Sequence, residues 1–273
     1  MRALLASPLG LLIGISLGAL GGGGSILAVP ALVYAAGETP KHATTTSLVL
    51  VAVTAVLGIV PHWRAGRVRF GAGTIFGLAG IGGSLLGSHW NKAADPNALL
   101  LAFSGLMMVA AYGMWRRLRS GPVPVLRSLS AAAAAAAAAA PVGSTVRFDP
   151  TTVVKVAIAG TIVGLLTGFF GVGGGFVIVP ALVLALGFTM PEAVGTSLLV
   201  ITINSAVALT TRLQGGSIEW GTVIPFTVAS LLGVVVGSRL AGTRDSTSLQ
   251  RWFVGLLVVV AVYTATRSGL ALR

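Results

Sequence analysis

Long apolar runs separated by short polar, glycine-rich and proline-rich breaks set the pattern of this chain. Eight runs stand out, at about 8–36, 42–61, 70–89 and 97–115, then at about 152–187, 191–211, 220–240 and 248–266. Most reach the roughly 20 residues that a helix needs to cross a bilayer. A soluble helical protein would need a polar face, and these runs offer none. The pattern predicts an all-α polytopic membrane protein with about eight transmembrane segments. The first run of each set carries its own interruption: GALGGGGSILAVPALV at 18–33 and GFFGVGGGFVIVPALV at 168–183. As one straight helix, 152–187 would be about 54 Å long, against a hydrocarbon core of about 30 Å.

The two interruptions belong to an internal repeat. Displaced by 150 residues, Gly14, Gly18, Gly21, Gly23, Gly24 and Pro30 meet Gly164, Gly168, Gly171, Gly173, Gly174 and Pro180. Ala31-Leu32-Val33 meets Ala181-Leu182-Val183, and Thr46-Ser47-Leu48 meets Thr196-Ser197-Leu198. The register persists to Phe103 and Gly105, which meet Phe253 and Gly255. Shared apolar bias would not align glycines and prolines this closely. The chain therefore divides into a first transmembrane repeat (1–115), a linker (116–150) and a second transmembrane repeat (151–273). The linker holds Arg116, Arg117, Arg119, Arg127 and Arg147, several prolines and the alanine run 131–140. Ten alanines without packing form a marginal helix at best.

Composition agrees with a membrane protein: 55% of residues are hydrophobic, 9% are charged, and mean hydropathy is +0.95. Arg2 and the run behind it have the look of a secretory signal, but that run continues into repeated sequence and reads as mature protein. Cysteine is absent, which excludes disulfides and thiolate metal sites. A net charge of +12 would suit nucleic acid, yet the arginines cluster in short loops between apolar runs, as the positive-inside rule describes. Four spans per half place Arg64, Arg67, Arg69, the linker arginines, Arg212, Arg267 and Arg273 on one side. That arrangement predicts cytoplasmic termini, a cytoplasmic linker and parallel repeats in the cytoplasmic membrane. The alternative is a re-entrant first segment in each half, which leaves three full spans and inverts the repeats.

The breaks also carry the candidate chemistry. Irregular backbone at membrane depth is tolerated only inside protein or beside a wet cavity. A half-helix starting near Ser25 or Gly175 presents free N–H groups and the positive end of its dipole, which favours anions. Paired discontinuous segments in two halves point to a transporter's substrate site. Close helix packing is the plainer use of small residues; a repeated glycine cluster with a proline at fixed distance favours the site. The second segments add neutral donors: Thr46 and Ser47, Thr196 and Ser197, and Asn204, an amide inside a span. The plainer use of each hydroxyl is a bond back to its own helix. Every Asp and Glu falls outside the apolar runs or at an end of one, as Glu192 does at the start of 191–211, so a buried cation site or carboxylate relay is not expected. His62 aligns with Arg212, giving a basic group that could attract an anion or simply anchor the interface. Trp63, Trp90, Trp220 and Trp252 fit an aromatic belt.

At GALGGGGSILAVPAL and GFFGVGGGFVIVPALV, each followed by a span with Thr-Ser, the chain resembles the TauE/SafE family of sulfite exporters, also called the four-toluene-sulfonate uptake permease family. The resemblance implies a carrier of sulfite or related sulfur-containing organic anions. It places Gly21, Gly22, Gly23, Gly24, Ser25, Pro30, Thr46, Ser47, Gly171, Gly173, Gly174, Gly175, Pro180, Thr196 and Ser197 near the translocation path. Ser25 stands where the second motif has Gly175, so the half-sites differ. The expected partners are a small anion and membrane lipid, with a homodimer left open; no cofactor, metal or nucleic acid is expected. Export of an anion by alternating access is the leading expectation. Coupled uptake and an anion channel are its rivals, ahead of a scaffold or an intramembrane serine protease built on Ser84 and His89.

Overall fold

The computed structural model describes residues 2–24, 28, 40–91, 96–120, 150–170, 175–213 and 220–271. Among these residues there are nine α-helices and no strand. In the first half, α1 (Arg2–Leu20) runs into a 3-10 turn (Gly21–Gly24), followed by α2 (Pro40–Arg64), α3 (Phe70–Asn91) and α4 (Pro96–Ser120). The second half holds α5 (Pro150–Phe170), α6 (Gly175–Leu184), α7 (Met190–Leu213), α8 (Trp220–Thr243) and α9 (Ser246–Ala271). Helix starts at 40, 70 and 96 recur at 190, 220 and 246. Six helices contain a stretch long and apolar enough to cross a membrane: α2, α3, α5, α7, α8 and α9. The apolar part of α1, Pro8–Leu20, is shorter, and α6 has only 10 residues.

Local chemistry sets several boundaries. Pro40, Pro96 and Pro150 each stand at the first residue of a helix, where the missing N–H costs nothing and the fixed φ suits the first turn. Thr189 and Glu192 form a capping box before α7: Thr189 N donates to Glu192 Oε2 at 3.1 Å, and Ala193 N donates to Thr189 O at 2.9 Å. Gly66 closes α2 in the left-handed region (φ 68°), its N–H donating to Trp63 O at 2.8 Å.

Two helix pairs, each joining one half to the other, form the tightest packing. α1 lies along α8 and α3 along α5. Gly14 faces the Ser230 carbonyl, and Gly164 faces the Gly80 carbonyl; a Cβ at either glycine would collide with backbone. Small residues let membrane helices approach this closely. The second contact is the first one displaced by the repeat. Gly10 and Gly18 meet Phe226 and Val234, and Gly160 and Gly168 meet Phe76 and Ser84, so each pair runs in a common direction. Ser230 Oγ adds a bond to Gly10 O at 2.8 Å.

Other pairs run in opposition. Gly58 meets Leu198 while Gly195 meets His62, so α2 and α7 are antiparallel. Gln250, early in α9, donates to Met114 O, late in α4, at 3.0 Å, so α4 and α9 are antiparallel as well. α4 and α6 share a direction. Phe103 packs edge-on against Phe176 with centroids 4.9 Å apart, Gly113 lies at Leu184, and Arg117 Nη2 donates to Gly187 O at 3.1 Å. Residues 92–95 are too few to carry the chain back across a membrane, so α4 opposes α3 and therefore α5. It follows that α6 runs opposite to α5, and the segment 152–187 is not one continuous span.

Burial sorts the surfaces. α6 is enclosed over most of its length, with Phe176, Val177, Ile178, Val179, Leu182 and Val183 all buried. Val109 of α4 and Val259 of α9 are 69% and 67% exposed, an outward apolar face of the kind lipid covers. The parallel arrangement with four spans per half would put Arg69 and Glu192 on opposite faces of the membrane. Here they form an ion pair.

Candidate functional site

The first glycine break meets Gly175, the last glycine of the second. α1 ends at Leu20, and Gly21 turns the chain with φ 67°, a conformation that costs an L-residue about 1–2 kcal/mol. A Cβ at Gly21 would press on Ser197 Oγ and on the Val194 backbone of α7. The next residue, Gly22, lies directly against the carbonyl of Gly175, the first residue of α6, leaving no room for any side chain. Two backbones from different halves thus cross at a point lined by glycine. Gly175 is buried there, at the N-terminal end of α6, where the first N–H groups of a helix have no intrahelical acceptor.

One hydroxyl side chain, that of Ser197, touches this crossing. Thr196 and Ser197 are fully buried. Thr196 Oγ1 accepts from Arg69 N at 3.1 Å, joining the α2–α3 loop to α7. Ser197 Oγ bonds to Val194 O at 2.8 Å. On α2, Thr46 and Ser47 are buried too. Thr54, the repeat counterpart of Asn204, is consumed locally: its hydroxyl donates to Leu50 O at 2.6 Å. Asn204 is not, for its buried Oδ1 has no hydrogen-bond partner. It sits beside the α3–α5 contact, with Nδ2 near Gly80. Pro180 is buried in α6. Gly23 and Gly24 complete the 3-10 turn. Ser25, Pro30, Gly171, Gly173 and Gly174 lie outside the described residues.

The basic groups separate. His62 is 2% exposed near the end of α2. Its Nε2 lies 3.3 Å from Gly18 O in the last turn of α1, its Cβ faces Gly195, and its Nδ1 has no partner. Arg212, its repeat counterpart, is near the far end of α7, about 25 Å along the helix from Gly195 at 1.5 Å per residue. The antiparallel crossing of α2 and α7 therefore keeps residues 62 and 212 apart.

Sequence reasoning missed a second cross-half connection. Arg69 reaches Glu192 through Nε at 3.1 Å and through Nη2, while Glu192 Oε2 also accepts from Thr189 Oγ1 at 3.0 Å. No local signal joins residues so distant in the chain; only the fold brings them together. A small cavity of about 50 Å³ opens beside the end of α1, lined in part by Leu20, Ala241, Arg244, Ser248 and Trp252. Among the described residues no cluster of His, Asp and Glu could hold a metal ion.

Comparison with known proteins gives the family of the chain. A family profile described as "Sulfite exporter TauE/SafE" matches residues 6–264. A "Probable membrane transporter protein" of Xylella fastidiosa (strain 9a5c) is 34% identical over 270 residues, covering 96% of this chain and 94% of that protein. The "Probable membrane transporter protein YunE" of Bacillus subtilis (strain 168) is 24% identical over 269 residues, covering 96% and 95%. No solved structure gives a significant match. These relatives are named as membrane transporters, not as enzymes. With the profile spanning nearly the whole chain, this protein belongs to the TauE/SafE family.

Proposed function

We propose that the chain exports a small sulfur-containing oxyanion, sulfite or an organosulfonate, across the cytoplasmic membrane by alternating access. The observation that carries this reading is the contact of Gly22 with Gly175. It brings together glycines of the two helix breaks, where backbone N–H groups and buried hydroxyls can replace much of an anion's hydration shell. Thr46, Ser47, Thr196, Asn204 and, on turning away from Val194 O, Ser197 supply the neutral donors, and the N-terminal end of α6 supplies a positive dipole end. Asn204 is suited to the role because its side-chain amide is a neutral N–H donor within a span.

The architecture proposed is the inverted one, with two homologous repeats, each opening on a re-entrant hairpin. Repeat-related contacts support it: α1 with α8 is matched by α5 with α3, while the related helices α2 and α7 run in opposite directions. The orientation argument then changes. The α2–α3 loop, the end of α4, the α6–α7 connection and the end of α8 share one face. Arg64, Arg67, Arg69, Arg116, Arg117, Arg119, Arg239 and Arg244 gather there. The positive-inside rule makes that face cytoplasmic and puts both termini on the other side, the reverse of the orientation expected from four spans per half.

Energetics favour export. With the inside negative, each elementary negative charge moved outward gains about 2.3 kcal/mol per 100 mV. The test is sulfite efflux from proteoliposomes holding the purified protein, with the potential set inside-negative and then inside-positive. Saturable efflux that follows the potential is expected. Flux no faster than from empty vesicles would remove sulfite, and flux proportional to concentration without limit would indicate a channel.

A further inference from the structure

Among the described residues, one buried ionisable side chain is not used by the proposed anion shell. His62 is 2% exposed. It stands between the last turn of α1, where Nε2 meets Gly18 O at 3.3 Å, and Gly195 of α7, the residue before Thr196 and Ser197. Ser197 in turn touches Gly21. The imidazole is therefore built into the same ring of contacts that holds the first glycine break. Its Nδ1 is buried with no partner. A buried polar atom without a partner is uncommon and calls for a reason.

The surroundings say what that nitrogen lacks. From α1, the described side chains of Pro8–Leu20 include no ionisable group. From α7 the nearest carboxylate is Glu192, and it is taken by Arg69 and Thr189. From α8 the charged group at this level is Arg239, exposed beside Ser238. On its own helix and the following loop stand Arg64 and Arg67, both cationic, with the Arg67 carbonyl against Gly195. Among the described residues of these elements every unpaired charge is positive, and Asp245, beyond the end of α8, is exposed and bonded to Ser248. With Nε2 donating to Gly18 O, a proton on Nδ1 would have neither an acceptor nor a counter-charge until an anion arrived.

Resting on the transporter reading, we infer that His62 is a proton site coupled to the substrate: it takes up a proton together with the anion and releases it when the anion leaves. The imidazolium then supplies the one full positive charge in an otherwise neutral shell. One proton, drawn from water on the loading side, crosses with each anion. A dianion such as sulfite would leave with one net negative charge, so its efflux still follows the potential, whereas a monoanion would leave with none. By reciprocity of binding free energies, protonation must tighten anion binding as much as the anion tightens proton binding.

The test uses the full chain in detergent and methanesulfonate, which stays ionised across the pH range and so adds no titration of its own. Its dissociation constant is read from the rise in thermal unfolding midpoint at pH 8, 7 and 6. The expected result is binding that tightens by up to about tenfold per pH unit across the imidazole range, the slope of one linked proton. The slope should vanish in His62→Gln and persist in the double variant His42→Gln/His89→Gln. A flat wild-type profile, a slope that survives in His62→Gln, or the absence of any stabilisation by methanesulfonate would each overturn the inference. The wild-type profile and the double variant decide the matter even if His62→Gln fails to fold. Saturable sulfite flux alongside a flat profile would keep the transporter and remove the proton.

Discussion

Gly22 is the residue where packing and proposed function coincide. Alanine there adds one methyl group directly against the Gly175 carbonyl. Overpacking of this kind costs about 1–3 kcal/mol, and the strain falls on the crossing itself. Gly22→Ala is expected to lower the unfolding midpoint modestly and to reduce sulfite flux by more than tenfold. Unchanged flux would show that the crossing is only a packing contact. Gly105 is a useful contrast, for a Cβ there meets nothing within 4 Å; Gly105→Ala should leave both quantities as they are. Thr196 offers a second test at this scale. Thr196→Val keeps the shape but removes the acceptor for Arg69 N. Leaving a partly buried N–H unsatisfied costs about 1–3 kcal/mol, read as a lower unfolding midpoint in detergent. The paired motifs made the glycines visible in advance. Their partners were not visible, because Gly22 and Gly175, or Arg69 and Thr196, become neighbours only through long-range packing.

Among the helices, the membrane-length ones were legible from hydropathy, and their starts fall close to the limits read from the apolar runs. The exception is the first segment of each half. Hydropathy alone cannot tell a broken span from a hairpin, since both are apolar throughout. Direction was decided by contacts: α6 follows α4 from Phe176 to Gly187 and so opposes α5. Helix ends obey local rules that can be tested separately. Asp245 precedes α9, and its carboxyl is held below the usual carboxylate range chiefly by a hydrogen bond from the Ser248 side chain. A group with a lowered folded-state pKa stabilises above its ordinary value and loses that contribution as pH falls through the folded value. Asp245→Ala should therefore lower the unfolding midpoint at pH 7, and the gap from wild type should close under strongly acidic conditions. A gap that stays constant down to pH 2 would remove the charged cap.

For the whole molecule, the two halves interlock: α1 belongs to the first repeat by sequence and packs along α8 of the second, while α5 packs along α3. A motion that opens one face must therefore shear helices of both halves. The absence of native cysteine gives a clean background for labelling. Single cysteines at Ala65 and Ala185 are expected to react with a membrane-impermeant maleimide from the same side, since Arg69 and Glu192 tie these connections together. In intact cells that side should be protected until the membrane is opened. Labelling from opposite sides would restore the parallel arrangement, and labelling of both in intact cells would reverse the orientation.

The amino-acid sequence by itself determined that this is an α-helical membrane protein, that its glycine breaks occur in pairs, and that its acidic side chains fall outside the apolar runs or at their ends. These follow from hydropathy, spacing and composition, which are properties of the chain read in order. Only the tertiary structure decided that Gly22 rests on Gly175, that α6 runs opposite to α5, that His62 is sealed against Gly18 with one nitrogen unpaired, and that Arg69 pairs with Glu192. Such contacts join distant residues, and local pattern carries no record of them. The direction of each helix is set by which surfaces pack together, and a direction leaves no trace in hydropathy.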